Sequence, residues 1–332
     1  MKNEVILVYR QPYKHTYSIE YIFDQLINSL QSSQNIQKKI LPHYSNSIFK
    51  RLQNLISILF LPGKIIHVTG DVHYAILGAW FKIRILTIHD LAFMHQNKGA
   101  KRSILKWFYI ILPVKFAHQV TVVSEATKTD LLKYISVDPH KIKVIPDFIA
   151  ELFQSESDRK FNTIQPKLLQ IGTAFNKNIE RLAAAICNLN CELVIVGNLD
   201  QSQVTTLQKF KINYINKVGL SEQALLQEFK NADLLTFVST IEGFGMPILE
   251  AQACGLPVVT SSCSSMPEVA GDAAIFVDPF DIQSIKNGIL EMISNRKLRE
   301  DLVEKGFQNI KRFSKASVIS QYKQLYQKLG KL

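Results

Sequence analysis

Cysteine is scarce in this chain of 332 residues, and the four present, Cys187, Cys191, Cys254 and Cys263, form neither a Cys-x-x-Cys pair nor a zinc-like spacing. That excludes a redox dithiol and a zinc module and leaves reduced thiols in the cytosol as the expectation. Long apolar runs are missing too. A membrane-spanning helix needs about 18 consecutive apolar residues, whereas 52–63 is too short and 251–267 is broken by Gly, Pro and Ser. The amino terminus runs straight into a strand pattern, so no signal peptide is expected. No Gly-x-Gly-x-x-Gly follows that first strand, which argues against a dinucleotide-binding dehydrogenase. No Asp-x-Asp stands at a strand end, so no metal site is expected.

What is present is a globular composition, 47% hydrophobic, with enough chain for two domains. The net charge of +11 is unevenly placed: residues 1–150 carry 19 Lys or Arg against 9 Asp or Glu, and the remainder 20 against 19. The first half therefore holds nearly all of the basic excess. Such asymmetry suits nucleic acid, an anionic membrane surface or an anionic substrate alike.

Apolar strand patterns at 4–9, 65–69, 83–88, 119–123 and 141–145 alternate with helical ones, among them 18–30. A second series follows at 167–172, 192–197, 212–215, 233–238, 257–260 and 274–277. Repeated alternation of this kind reads as parallel sheets covered on both faces. Residues 147–166 are polar and weakly patterned, which divides the chain into a first domain at 1–146, a linker at 147–166, a second domain at 167–313 and a last helix at 314–332. Residues 101–116 place Ile104, Trp107, Phe108, Ile111 and Leu112 at helical spacing beside Lys98, Lys101, Arg102 and Lys106, with an interruption at Pro113. That amphipathic face can lie on anionic lipid or pack on the sheet; both readings stand.

The densest chemistry is in Glu242-Gly-Phe-Gly-Met-Pro-Ile-Leu-Glu250, a glycine-bearing loop between a buried strand and a helix. Pro247 fits a first helical position. The helix start offers unpaired amides and partial positive charge to an anion, and Gly243 and Gly245 let the backbone come close to it. Glu242 and Glu250 flank the same ligand and can accept hydrogen bonds from sugar hydroxyls. An ordinary strand-to-helix turn carries similar residues, so the chemistry alone leaves both readings open.

This stretch, continued by Ala-Gln-Ala-Cys-Gly-Leu-Pro-Val-Val, resembles the donor-site signature of retaining GT-B glycosyltransferases of family 4 (group 1). The resemblance implies an α/β fold of two Rossmann-like parallel-sheet domains facing across a cleft, with a C-terminal helix crossing back to the first. It implies that Glu250 holds the nucleotide ribose and Glu242 meets the donor sugar. The amides of Gly243, Phe244, Gly245 and Met246 would receive diphosphate and sugar. Gly172-Thr173 followed by Asn176-Lys177-Asn178 matches the family's Gly-Thr-x-x-Lys-Asn pattern, which nominates Lys177 for the leaving diphosphate. Many members carry Arg where Asn176 stands here, and Arg181 is the candidate second charge. Val218-Gly219-Leu220-Ser221 resembles the segment that meets the base through its backbone. Thr-Ile-His89-Asp90-Leu resembles the first half of the family, where His89 would face the donor sugar. The loop after the first strand departs from the family's glycine-rich form, so Arg10, Tyr13, Lys14 and His15 are acceptor-contact candidates from their chemistry alone.

The expectation is thus a metal-independent retaining transferase with no cofactor beyond a nucleotide-diphosphate sugar of UDP or GDP type. It would glycosylate a lipid-linked saccharide during bacterial surface polysaccharide synthesis, in the cytoplasm and peripherally on the inner face of an anionic membrane, with no nucleic acid partner. Two rivals stay open: a GT-B nucleotide-sugar epimerase, and a non-catalytic basic scaffold for nucleic acid or membrane.

Overall fold

The structure, a computed structural model, describes residues 4–12, 18–153 and 160–331. The chain forms two compact units, Met1–Phe148 together with Lys315–Leu332, and Ile149–Ser314. Each is a six-stranded, all-parallel sheet flanked by helices, as the alternation predicts.

In the first unit the strands are β1 (Glu4–Tyr9), β2 (Asn35–Ile40), β3 (Ile65–Val68), β4 (Ile83–Ile88), β5 (Gln119–Val122) and β6 (Ile142–Val144), in the order β2-β1-β3-β4-β5-β6. The run Val5–Tyr9 is buried on both faces, as a central parallel strand must be. Val5, Leu7 and Tyr9 meet the helix Ser18–Leu30 and the C-terminal helix Lys315–Gly330, whereas Ile6 and Val8 meet Ile58, Ile76 and Val114 on the other side. Val318, Tyr322, Leu325, Tyr326 and Leu329 recur at helical spacing and are all buried against the first sheet. Each such side chain contributes about 1.5–3 kcal/mol. Lys64 Nζ caps that helix at the Gly330 carbonyl, 2.9 Å away.

The second unit contains β7 (Lys167–Ile171), β8 (Glu192–Val196), β9 (Tyr214–Lys217), β10 (Leu234–Phe237), β11 (Val258–Ser261) and β12 (Ile275–Val277), in the order β12-β11-β10-β7-β8-β9. Leu168, Leu193, Ile195, Leu234 and Val259 share one core with the helix Ile179–Ile186.

Several expectations shift. β2 has the sequence Asn-Ile-Gln-Lys-Lys-Ile and is an edge strand with a solvated face, which hides its pattern. β9 starts two residues later than the apolar run at 212–215, because Ile212 belongs to the turn that closes the preceding helix. Pro247 is the second helical residue rather than the first: the helix is Met246–Ala253, and Gly245 precedes it. Over 101–116 the break is not at Pro113. Gly99–Leu105 runs into a π-helical turn, Lys106–Ile111, and then into Leu112–Phe116. A proline leaves the carbonyl four residues earlier without its helical donor; that carbonyl, on Tyr109, accepts instead from His73 Nδ1 at 2.8 Å.

Candidate active site

β7 and β10 are neighbours in mid-sheet, and the chain moves outward from them in opposite directions, to β8 and β9 on one side and to β11 and β12 on the other. Their carboxyl ends therefore border the crevice where open parallel sheets bind ligands. The loop after β7 brings Lys177 there, and the loop after β10 brings Glu242.

The two are bonded. Lys177 Nζ donates to Glu242 Oε1 at 2.6 Å, both side chains being largely buried, and sits 4.6 Å from the Phe237 ring centroid. Gly172, at φ +85°, passes beneath the lysine: a Cβ there would stand 2.8 Å from Lys177 Cε. Asn176, buried, donates to the same Glu242 oxygen at 3.1 Å and to the Ile241 carbonyl at 2.7 Å. The position where many relatives are expected to carry Arg is thus a clamp on Glu242. Nothing in the local sequence announces it, because the contact depends on β7 and β10 being neighbours.

The backbone of the loop is fastened from β11. Ser264 Oγ accepts from the Glu242 amide at 3.1 Å and donates to its carbonyl at 2.7 Å, while Ser265 Oγ donates to the Phe244 carbonyl at 2.6 Å. Phe244 turns its ring inward, edge-on to Phe313 at 5.6 Å, so its contribution to a ligand is its backbone. Gly245 adopts φ +108°, a conformation that L side chains rarely take, and leads into Met246–Ala253 with no side-chain cap. Within the first turn of that helix Pro247 has no N–H and the Ile248 amide donates to the Gly245 carbonyl at 3.0 Å, which leaves the Met246 amide as the one the turn can offer to a ligand.

Glu250 lies one turn into the same helix. It keeps part of its surface in solvent, and among the described residues its carboxylate has no hydrogen-bond or ion-pair partner. Burial, and secondarily the charge of Glu222, push its pKa up from 4.5 to about 7. Glu222 opens the helix Glu222–Asn231, capped by Ser221, so the 218–221 segment ends near Glu250; Val218 is exposed and Gly219 has φ +68°. The structure thus brings the base-segment candidate towards the ribose candidate.

Two nominated residues are otherwise engaged. Thr173 Oγ1 donates to the Asn198 carbonyl at 2.6 Å, and its own carbonyl accepts from Gln203 Nε2 at 2.8 Å. Arg181 donates to Asn178 Oδ1 at 3.0 Å and lies 5.4 Å from the Phe280 ring. Asn178, buried, donates to the carbonyls of Val238 and Pro279. A groove of about 660 Å³, lined by Phe161, Arg299 and Phe307 among others, borders Gly255 and Pro257 at the amino end of β11 and contains none of these residues.

The first unit has its own switch point, between β1 and β3. Arg10, just past β1, donates to Glu20 at 2.8 Å and to Asp71 at 2.9 Å. Tyr13, Lys14 and His15 lie outside the described residues. Asp90 accepts from the Ala92 amide at 2.9 Å and so starts a short helix. His89, past β4, bonds the Thr69 carbonyl through Nε2 at 2.9 Å, and a carbonyl can only accept, so Nε2 carries hydrogen. Its Nδ1 lies 3.9 Å from Asp147 Oδ2. Burial opposes charge on this ring, but Asp147 outweighs it, and the pKa is raised. His67, beside it across Phe23, behaves oppositely: buried between Tyr326 and Thr87 hydroxyls at 2.8 and 2.7 Å, it is pushed down to about 3, chiefly by burial.

Comparison with known proteins converges on one family. Residues 154–309 match the model of glycosyl transferases group 1, and residues 40–150 that of glycosyltransferase family 4. The chain is 28% identical over 214 residues to the O-antigen chain mannosyltransferase RfbU of Salmonella typhimurium, a match covering 61% of this chain and 59% of that protein. It thus spans about three fifths of that relative. It is 23% identical over 284 residues, 78% of this chain and 74% of the relative, to the N,N'-diacetylbacillosaminyl-diphospho-undecaprenol alpha-1,3-N-acetylgalactosaminyltransferase of Campylobacter jejuni. Among solved structures, sucrose-phosphate synthase from Thermosynechococcus elongatus superposes with a TM-score of 0.81 at 16% identity, covering 99% of both chains, a likeness of fold. The chain has the GT-B fold and belongs to glycosyltransferase family 4, the group 1 glycosyl transferases.

Proposed function

We propose that this glycosyltransferase moves one hexosyl unit, with retention, from a UDP- or GDP-type sugar to a hydroxyl of a lipid-linked saccharide, in the assembly of a bacterial surface polysaccharide. The observation that carries the reading is the bonded pair Lys177–Glu242, held at the carboxyl ends of β7 and β10 beside the glycine-started helix Met246–Ala253.

Transfer breaks the bond between the sugar's anomeric carbon and the diphosphate and forms one to the acceptor oxygen on the same face. The acceptor proton passes to the departing phosphate oxygen. The growing charge on the diphosphate needs fixed donors. Lys177 supplies a point charge, and the loop amides from Gly243 to Met246 supply oriented dipoles, so the work done by a metal in other transferases falls to this chain's own groups. Glu242, immobilised by Asn176 and Lys177, presents a carboxylate to the sugar hydroxyls, and Glu250 presents another to the ribose. His89, whose protonated form Asp147 favours, acts in the first unit. The lipid-linked acceptor accords with the relative from Campylobacter jejuni, whose name specifies a diphospho-undecaprenol substrate. It also accords with the basic first half of the chain. No helix among the described residues is long and apolar enough to cross a membrane.

The test is thermal stabilisation by a panel of nucleoside diphosphates and their sugars, without added metal. A ligand present at 100 times its dissociation constant stabilises by about 2.7 kcal/mol. One base family should stabilise, and Glu250→Ala should abolish the shift. Stabilisation by none of them overturns the donor site. Release of nucleoside diphosphate that requires an acceptor separates transfer from epimerisation.

A further inference from the structure

The helix Ile48–Leu59 is built inside out. Its inward side holds Leu55 and Ile58 together with a buried amide, Asn54, which bonds His43 and Tyr74. Its outward side carries Ile48, Phe49, Leu52 and Ile56, with Phe60 just beyond, and Ile48, Phe49 and Phe60 are 83%, 70% and 78% exposed. A helix facing only water presents polar residues there.

The same layer of the first unit repeats the feature. Ile58, Ala75, Ile76, Ile110 and Val114 pack into one core on one face of the sheet, so the helix, the turn His73–Gly78 and the segment 99–116 lie side by side over it. Gly78 has no room for a Cβ against the Leu55 carbonyl, and Arg51 lies 5.7 Å from the Tyr109 ring. Outward from the turn stand Trp80 and Phe81, the latter 84% exposed; outward from 99–116 stand Ile104, Trp107 and Phe108.

The charge around this apolar surface has one sign. Residues 25–124 contain 12 Lys or Arg and only two acids, Asp71 and Asp90, and none of the acids falls within 41–70 or 91–124. Lys98, Lys101 and Arg102 are exposed beside Ile104 and Trp107. Aromatic and aliphatic side chains ringed by cations, with no anions among them, match the boundary between lipid headgroups and acyl chains rather than another protein's mixed surface.

We infer that the outward face formed by the helix Ile48–Leu59, the Trp80–Phe81 turn and the 99–108 segment docks the enzyme on an anionic lipid bilayer, with the apolar side chains inserted and the lysines at headgroup level. This deepens the lipid-linked acceptor reading. Its test needs no turnover, so it can fail while the transferase assignment stands. It also decides the two readings of 101–116: Ile110, Val114 and Pro113 pack inward while Trp107 and Phe108 meet lipid.

The experiment is co-sedimentation of the full chain with vesicles of phosphatidylglycerol and phosphatidylcholine in equal parts, and with phosphatidylcholine alone. Binding should require the anionic lipid. The triple variant F49S/F60S/F81S should lower partitioning about tenfold or more, and K101E/R102E about fivefold or more per reversed charge. All five positions are exposed, so both variants should keep the parent's thermal transition and nucleotide-dependent stabilisation, which separates lost docking from lost folding. Absence of binding to the anionic vesicles overturns the proposal, as does undiminished binding by F49S/F60S/F81S. A wild-type dimer that F49S/F60S/F81S dissociates, in a protein that ignores vesicles, would assign the face to a second copy of the chain and overturn it equally.

Discussion

The two units are both six-stranded, all-parallel sheets with one point where the strand order reverses, between β1 and β3 in the first and between β7 and β10 in the second, yet what they put there differs. At the second crevice the polar groups come from loops pinned by backbone contacts: Ser264 and Ser265 hold the backbone of Glu242 and Phe244, and Asn176 and Lys177 hold the Glu242 carboxylate. At the first, side chains do more of the holding: Arg10 is tied to Glu20 and Asp71, and His89 to Asp147 as well as to the Thr69 carbonyl. A rigid cradle of amides and paired charges suits an invariant diphosphate. Charges held by other side chains can be regrouped around a variable acceptor. On the proposed function, donor binding would fall to the second crevice and acceptor binding to the first, with the difference lying in the loops.

The sharpest way to break this contrast is to remove the central cation. Lys177→Ala should lower kcat about 10²- to 10³-fold, the loss seen when one preorganised donor to a developing charge is deleted. Arg10→Ala, on the first crevice, should cost less turnover and chiefly affect acceptor KM. Steady-state kinetics with donor and acceptor varied separately reads both. Equal losses in kcat from the two variants would show that the crevices do not divide the work in this manner. Gly172→Ala sharpens the same point without touching a charge. At φ +85° the alanine is strained, and its Cβ occupies the place of Lys177 Cε. Donor stabilisation should weaken, with about 1–2 kcal/mol of stability lost.

A smaller effect separates structure from chemistry in the first unit. Tyr326→Phe removes the hydroxyl bonded to His67 Nδ1, leaving a buried ring nitrogen without its partner at a cost of about 1–3 kcal/mol. The first unit should melt earlier, while stabilisation by nucleotide remains. A variant that keeps its thermal transition but loses turnover would move this buried network from scaffold to function.

Much of the second unit was legible because its chemistry is contiguous. Glu242 to Glu250 and Gly172 to Lys177 are short, and each follows an apolar strand whose end fixes where the loop must be. Partners distant in sequence left no such trace. Asn176 reads as an ordinary loop residue until β7 and β10 are adjacent, and Asp147 lies in a stretch that reads as linker although it raises the pKa of His89. β2 was hidden by its solvated face. The helix Ile48–Leu59 was hidden for a subtler reason, since apolar residues point outward as well as inward and a polar amide, Asn54, points in, so the pattern of apolar residues marks no single buried side.

The smallest expected effect tests whether the second crevice is tuned as well as rigid. Burial raises the Glu250 carboxyl to about 7, with Glu222 adding to the shift. A folded-state pKa above the unfolded value means that the native protein binds this proton more tightly than the unfolded chain. The group therefore costs no stability below its ordinary value of 4.5, and the cost grows as pH rises to about 7. Ligand affinity runs the other way: ribose hydroxyls donate best to the ionised carboxylate. Nucleoside diphosphate affinity should accordingly rise several-fold, less than about tenfold, through neutral pH and then level off, on the scale that one pKa unit represents. Calorimetric titration from mildly acid to mildly alkaline pH would read it, and Glu250→Gln should bind more weakly and with a flatter profile. Because the ligand's own phosphate titrates in the same range, the difference between parent and variant is the decisive quantity. Identical pH slopes in the two would place the tuning on the phosphate and leave Glu250 as a hydrogen-bond acceptor alone.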